Sequence, residues 1–435
     1  MRAFLLILAL LLPAPAIAQG MPPILPLRER ARVQNAWLAE RLDTVVPRLM
    51  REQGIEMWVL IAREYLEDPV MSTMLNAESM RARRRTILIF FDPGGGRPVE
   101  RLTVSRYGMG GLFRPSWDPA AQPDQFARLA ALIAERDPRR IAIDVSPDSA
   151  FADGLTQSQY KAFMTALPDA LRARVTPADE LAIGWLETRI PAEMARYPGI
   201  VRIAHGIIAE GFSARAVRPG VTTAADLAWW YRERIAALGL ATWFQPSVAI
   251  FRRGAREPLE GDSVIQPGDM LWTDFGITYL GLNTDTQQLA YVLRRGERDA
   301  PMGLRTGLAD ANRAQDLLIG SFETGISGND ILAAALEATR AAGLRATIYS
   351  HPLGYHGHGA GASIGFWDNQ AADPRGAHRL RPDTAWSIEL NVRAAVPEWG
   401  GQEIEFRLEE DAFFDGERVH WLDGRQTEFH LIRAR

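Results

Sequence analysis

Asp274 and Asp285 stand eleven residues apart in a stretch of apolar and small polar residues, 271 to 286. Downstream come three histidines within eight residues, His351, His356 and His358, and two glutamates set among apolar neighbours, Glu389 and Glu409. Carboxylates are hard oxygen donors and an imidazole is a borderline nitrogen donor, so four of the first with one of the second suit manganese, or else cobalt or zinc. Such a set carries about −4, the charge that two divalent cations balance. Like charges brought this close repel unless a cation or a proton neutralises them, which favours a metal pair over a merely solvated acidic hairpin.

The elements that must carry these groups are legible in part. Trp272, Phe275, Ile277 and Tyr279 lead into Leu280-Gly281, and a second run, 287 to 293, follows, which predicts two strands joined by a tight turn. A turn centred between Tyr279 and Leu280 sets residues 274 and 285 directly opposite each other on one face of the hairpin. Residues 385 to 392 read as an apolar strand interrupted by Glu389. Residues 403 to 411 alternate with period two, putting Glu405, Arg407 and Glu409 on one face and Phe406 and Leu408 on the other. A glutamate in such a strand needs a cation, and Arg407 is an alternative partner to a metal for Glu409.

Upstream, apolar strands at 55–62, 85–91 and 140–145 alternate with helical stretches at 33–53, 122–136 and 157–167, the pattern of a three-layer α/β domain. The Gly94-Gly95-Gly96 run lacks the lysine and hydroxyl of a phosphate loop and reads as a turn. Further helices are expected at 192–216, at 223–238 behind a Thr223 cap, and at 303–320 and 329–342. The 435 residues, 47% hydrophobic, exceed one ordinary core and suggest two domains. A net charge of −4 without a basic stripe argues against nucleic acid as a partner. Lys161 is the only lysine, a matter of coding bias before function. Absence of cysteine excludes disulfides and thiolate ligands. Arg2, the apolar stretch from Phe4 to Leu12 and the small residues Ala16 to Ala18 have the form of a signal peptide cleaved after Ala18, so the mature chain is expected in a periplasm or secreted, without a membrane anchor.

The order of aspartate, eleven residues, aspartate, then a glycine-flanked histidine, then Ile388-Glu389, then Arg407-x-Glu409 resembles the M24 group of creatinase, aminopeptidase P and prolidase. The stretches 188–194 and 218–227 are similar to that family's entry into its catalytic domain and its second helix. With residues 1–18 set aside as the expected signal peptide, the resemblance implies a creatinase-like α/β domain over 25–183 and a pita-bread catalytic domain over 187–435. It implies Asp274, Asp285, His358, Glu389 and Glu409 as ligands of two metal ions, with His356 an alternative to His358. Glu389 then also serves as proton acceptor, and His351 and His356 contact the reacting groups. A second register would put Ala362 at the ligand position and leave the site incomplete. The implied reaction is removal of the amino-terminal residue of a short peptide, of Xaa-Pro type, by an enzyme that could act as a homodimer. Two departures stand against it. The loop 252–262 lacks the histidine that family peptidases carry, and Phe366-Trp367-Asp368 stands where they place another after the ligand. A non-peptidase hydrolase or lyase on the same fold, and a non-catalytic binding module, are therefore the alternatives.

Overall fold

The computed structural model describes residues 20–358 and 360–433. The expected signal peptide lies outside them.

The first sheet is built from β1 (Met57–Arg63), β2 (Arg85–Phe91), β3 (Glu100–Thr103), β4 (Arg114–Pro115), β5 (Ile141–Ile143) and β6 (Val175–Pro177), in the order β4-β3-β2-β1-β5-β6. β1 is apolar through Ala62 and buried over that length, as a central strand covered on both faces must be. Val59, Ile61, Ile87 and Ile89 meet Leu129 and Ile133 of helix Gln125–Arg136 and Phe163 of helix Gln157–Ala166. Trp58, Leu60, Leu88 and Phe90 face the other way, toward Trp37, Leu42 and Val46 of helix Leu27–Glu52.

The second sheet comprises β7 (Ser247–Phe251), β8 (Met270–Phe275), β11 (Thr286–Leu293), β12 (Ala346–Ile348), β13 (His351–Leu353), β14 (Thr384–Val396), β15 (Gln402–Phe414), β16 (Val419–Trp421) and β17 (His430–Arg433). The small pair β9 (Thr278–Tyr279) and β10 (Leu282–Asn283) continues the β8–β11 hairpin. Its main path runs β12-β14-β15-β11-β8-β7. Helix Met302–Ile319 packs on β14 and β15, and helices Tyr197–Gly211 and Ala224–Ala237 pack near β7, β8 and β11. Leu304 and Leu308 meet Ile388, Leu390, Phe406 and Leu408, the even-numbered residues of β14 and β15. Gly307 makes that approach possible, since a Cβ there would lie 2.1 Å from the Phe406 ring. The odd-numbered residues of these strands, Glu389 and Glu409 among them, are left for the opposite face.

Two expectations are corrected. The helix expected over 192–216 is two, Pro191–Met194 and Tyr197–Gly211. Pro198 lies in the first turn of the second, where its missing N–H costs nothing and continuation of the first does not reach. The hairpin turn is centred between Leu280 and Gly281, both at positive φ (57° and 85°), the combination a two-residue hairpin turn demands. Tyr279 therefore pairs with Leu282 and Asp274 with Gln287, not with Asp285. The shift is two residues, so the pleat still turns Asp274 and Asp285 to one face as diagonal neighbours. Thr223 caps helix Ala224–Ala237 in a reciprocal box with Asp226, as expected.

A buried ionic group joins the two sheets' surroundings. Arg41, on helix Leu27–Glu52, reaches Glu193 at 3.2 Å, and Arg189 reaches the same carboxylate at 3.5 Å. The Tyr355 hydroxyl donates to Glu193 Oε1 at 2.7 Å, while both guanidinium groups lie 4.8 Å from the Tyr355 ring centroid.

Candidate metal centre

Strand register assembles most of the site. Asp274 on β8 faces Gln287 on β11, Gln287 faces Glu409 on β15, and Glu409 faces Glu389 on β14, so four consecutive strands contribute one row. Asp285 precedes β11 by one residue and projects beside this row, with its backbone N–H held by Asp411 Oδ1 at 3.1 Å. Gln287 donates its amide to Glu389 Oε1, and the Ser387 hydroxyl donates to Glu409 Oε1. Arg407 does not reach Glu409. It makes its ion pair with Glu405 at 2.7 Å, which Arg393 shares at 2.6 Å. Among the described residues no arginine or lysine pairs with Glu409, and the pairing with Arg407 that would explain the carboxylate structurally is not made.

The imidazole that meets the carboxylates is His351. Its Nε2 lies 3.6 Å from Asp285 Oδ2 and 3.9 Å from Glu409 Oε1, and it forms a compact donor group with Glu389 and Glu409. Its Nδ1 is 3.1 Å from the Pro352 carbonyl, and a proton placed there leaves Nε2 as a lone-pair donor turned toward the acids. His358, expected as the ligand, joins Asp285 and His351 but lies in no donor group with the glutamates. Its exposed ring stands edge-on to His351 at 4.5 Å and to Trp243 at 5.0 Å. His356 is not brought to the cluster. It is buried against Phe151, 5.4 Å between rings, with Nδ1 at the Gly357 carbonyl. Ala362 is a core residue of the second sheet. The β13–β14 pairing sets His351 opposite Ser387, two residues from Glu389, whereas residues 354–358 lie outside the strands. Trp367 lines the cleft with Asp274 and Glu389.

Electrostatics argue for cations. Burial raises the pKa of Asp285, Glu389 and Glu409 well above the carboxylate range, and their mutual repulsion adds to it; burial also pushes Asp274 up to about 7. Burial lowers His351 to about 3, so its imidazole is neutral and available. Asp274 Oδ1 and His351 Nε2 are buried atoms without a hydrogen-bond partner. Groups this costly to leave unpaired fit a divalent pair, which would satisfy both atoms and balance the charge. Gln287, Ser387, Trp243 and Tyr349, whose ring is 5.3 Å from that of His351, complete the surroundings and were not expected from sequence. Their signal was period two, since Gln287, Ser387 and Tyr349 each lie two residues from Asp285, Glu389 or His351. Trp243 offered none.

The sign of the resulting pH dependence follows. A carboxyl whose folded pKa is raised keeps its proton in the native state after the unfolded chain has lost it, so its contribution is fully present below about 4 and lost as pH rises through about 7. His351 and His356, both lowered to about 3, act in the opposite sense below their ordinary 6.5. They are two groups against four. Calorimetric scans of chelated protein should therefore show a lower Tm at pH 8 than at pH 5, and excess divalent metal should raise Tm most at the higher pH. A chelated protein that gains stability over that interval would contradict the assignment.

The mixed nine-stranded sheet with its acidic row carries a candidate metal centre within the pita-bread fold that the sequence led us to expect. Residues 199–409 match the model of metallopeptidase family M24, and the part of the chain that holds the cluster belongs to that family. Solved structures of similar fold include the X-Pro aminopeptidase of Thermotoga maritima MSB8, at 15% identity over 89% of this chain and 99% of the other, TM-score 0.61. Others are a dipeptidase of Pyrococcus horikoshii OT3, at 18% identity over 90% and 99%, TM-score 0.60, and an Xaa-Pro dipeptidase of Bacillus anthracis, at 16% over 94% and 100%, TM-score 0.55. At such identities the likeness is one of fold. No curated protein matches the sequence.

Proposed function

We propose that this protein is a di-metal peptidase that removes the amino-terminal residue of short peptides, with Xaa-Pro bonds its first candidates and manganese its first candidate metal. The observation that carries the reading is the buried acidic row with the unpartnered Nε2 of His351 turned toward it. Asp274, Asp285, His351, Glu389 and Glu409 would hold two cations, which when bound supply Lewis acidity to activate water and polarise the scissile carbonyl. Ser387 and Gln287 orient the two glutamates by hydrogen bonds, fixing the donor set before substrate arrives. Glu389, oriented by the Gln287 amide, would accept a proton from the attacking water and return it to the leaving amine. His358, open to solvent and steadied by the Trp243 ring, stands where it can hydrogen-bond to the oxygen that gains charge as the bond breaks.

The loop without histidine favours a second reading, a non-peptidase hydrolase or lyase on the same frame. Metal analysis of purified protein, followed by turnover of Xaa-Pro and other dipeptides beside small guanidino and sulfonium compounds, decides between them. Cleavage of peptides alone is the expected result. Turnover confined to the small compounds would replace the first reading with the second, and metal content near zero with no turnover would leave a binding module.

A further inference from the structure

The nine-stranded sheet contains a seam. β14 and β15 pair over thirteen residues and β8 and β11 over six, but β11 meets β15 only at Gln287 and Glu409. That pair is the middle of the acidic row, so the seam divides the donor set, with Asp274 and Asp285 on one side and His351, Glu389 and Glu409 on the other. Two of the three donor groups, Asp274-Asp285-Glu409 and Asp285-His351-His358, straddle it, whereas His351-Glu389-Glu409 lies on one side. Side chains hold the seam where a backbone ladder holds the rest of the sheet. On one flank of the single pair, the Asp285 N–H donates to Asp411 Oδ1 at 3.1 Å. On the other, the Gln426 amide meets Leu289 as a strand would, accepting from its N–H and donating to its carbonyl, each at 2.7 Å. Glu410 ties these contacts to β15. Its Oε1 accepts from Gln288 Nε2 at 3.0 Å and from the Gln426 N–H at 2.8 Å, and its Oε2 faces Nε2 of His205, on helix Tyr197–Gly211, at 2.8 Å. His205 Nδ1 faces Asp423 Oδ2 at 3.1 Å, and the other oxygen of Asp423 pairs with Arg202 at 2.6 Å. An ionised carboxylate only accepts, so both ring nitrogens carry protons and the imidazole is a cation. Burial alone would lower its pKa, but Glu410 and Asp423 outweigh that and lift it to about 10. Alternation along β15 turns Glu410 away from Glu409, so this clamp lies behind the acidic row.

We infer that His205 is a positioning residue for the metal centre: as a buried cation on Glu410 it closes the β11–β15 seam from behind and so sets the separation of the two halves of the donor set. The inference rests on the metal reading for what the donors hold, and on the hydrogen bonds alone for the seam. A cation held across the seam is weakened by any widening of it, and a cation held on one side is not. A merely structural contact, once lost, would lower stability without separating the two.

The test is calorimetric titration of the full chain, wild type and His205→Gln, with manganese(II) chloride, beside amide hydrogen exchange of chelated and manganese-loaded wild type. Glutamine keeps a donor for Glu410 but lacks the charge and cannot serve both carboxylates as the ring does. In the variant one cation per chain should bind with wild-type affinity and the other at least about tenfold more weakly. In chelated wild type the amides of Asp285 and Leu289 should exchange at least about tenfold faster than those of the β14–β15 ladder, and manganese should slow the seam amides most. The exchange comparison needs no substitution, so it stays decisive if His205→Gln fails to fold. A folded variant in which both cations keep their affinity, or both weaken alike, would overturn the positioning role and leave the metal reading standing. Seam amides as protected as those of the ladder in chelated protein would overturn the seam itself. Wild type that takes up no manganese removes the metal reading and this role with it, while the exchange comparison still shows whether the seam is there.

Discussion

Asp285→Asn should empty the metal centre and at the same time make the chelated protein more stable. Asp285 shares one donor group with Asp274 and Glu409 and another with His351 and His358, so its carboxylate serves both ends of the cluster. Replacing it with a neutral amide of the same shape removes that bridge, and metal affinity is expected to fall at least about a hundredfold, with turnover following. Without metal the same carboxylate is 3% exposed among Asp274, Glu389, Glu409 and Asp411, all of them acids. Burial and these neighbours keep Asp285 protonated in the folded chelated protein while the unfolded chain ionises it at neutral pH, so an amide removes that cost and stabilises the chelated variant by on the order of a few kcal/mol. Metal titration and chemical denaturation of chelated wild type and variant read the two effects separately. Full metal content in Asp285→Asn, or a chelated variant less stable than chelated wild type, counts against a site built for cations.

The second large effect separates two histidines by kind. His351→Ala removes the imidazole whose Nε2 faces Asp285 and Glu409, and one cation per chain should be lost or bound tenfold to a hundredfold more weakly, on the order seen for other altered metal surroundings. His358→Ala should keep its metal and lose turnover, about a hundredfold or more in kcat with KM nearly unchanged, because the interaction removed is one made as charge develops. Metal titration on both variants and steady-state kinetics on the second provide the comparison. If His358→Ala sheds metal while His351→Ala retains it, the roles are exchanged.

Much of the site was legible because strand chemistry has a short period. Alternation over 403–411 is enough to place Glu405, Arg407 and Glu409 on one face, and the structure keeps them there along β15. It could not say that Arg407 would choose Glu405, since that depends on Arg393 arriving from the neighbouring strand. The hairpin turn was misplaced because Leu280 adopts a left-handed conformation that leucine seldom takes, and apolar patterning cannot foresee it. A shift of two residues left the face unchanged, which is why both aspartates were still brought together. The histidine segment was less legible for a different reason. Between His351 and His358 the chain leaves the sheet, periodicity ends, and glycine spacing alone aligns loosely. The contacts that decide it come from far away in sequence, Ser387 across β13 and Trp243 against Gly357, where even a Cβ would lie 2.1 Å from the tryptophan ring.

Tyr355 belongs to that same histidine segment, four residues after His351 and three before His358, and its hydroxyl is tied to Glu193 between Arg41 and Arg189. The placement of the imidazoles is therefore underwritten by a guanidinium that arrives from the first helix of the amino-terminal half. In thermodynamic terms the two halves share one equilibrium: a perturbation that loosens Arg41 is felt as weakened ligand geometry more than a hundred residues away in sequence, and tight cation binding in turn holds the amino-terminal helix in place. The amino-terminal half is then a structural component of the candidate metal centre rather than a passenger beside it, and cutting it away would remove the Arg41 contact behind Tyr355.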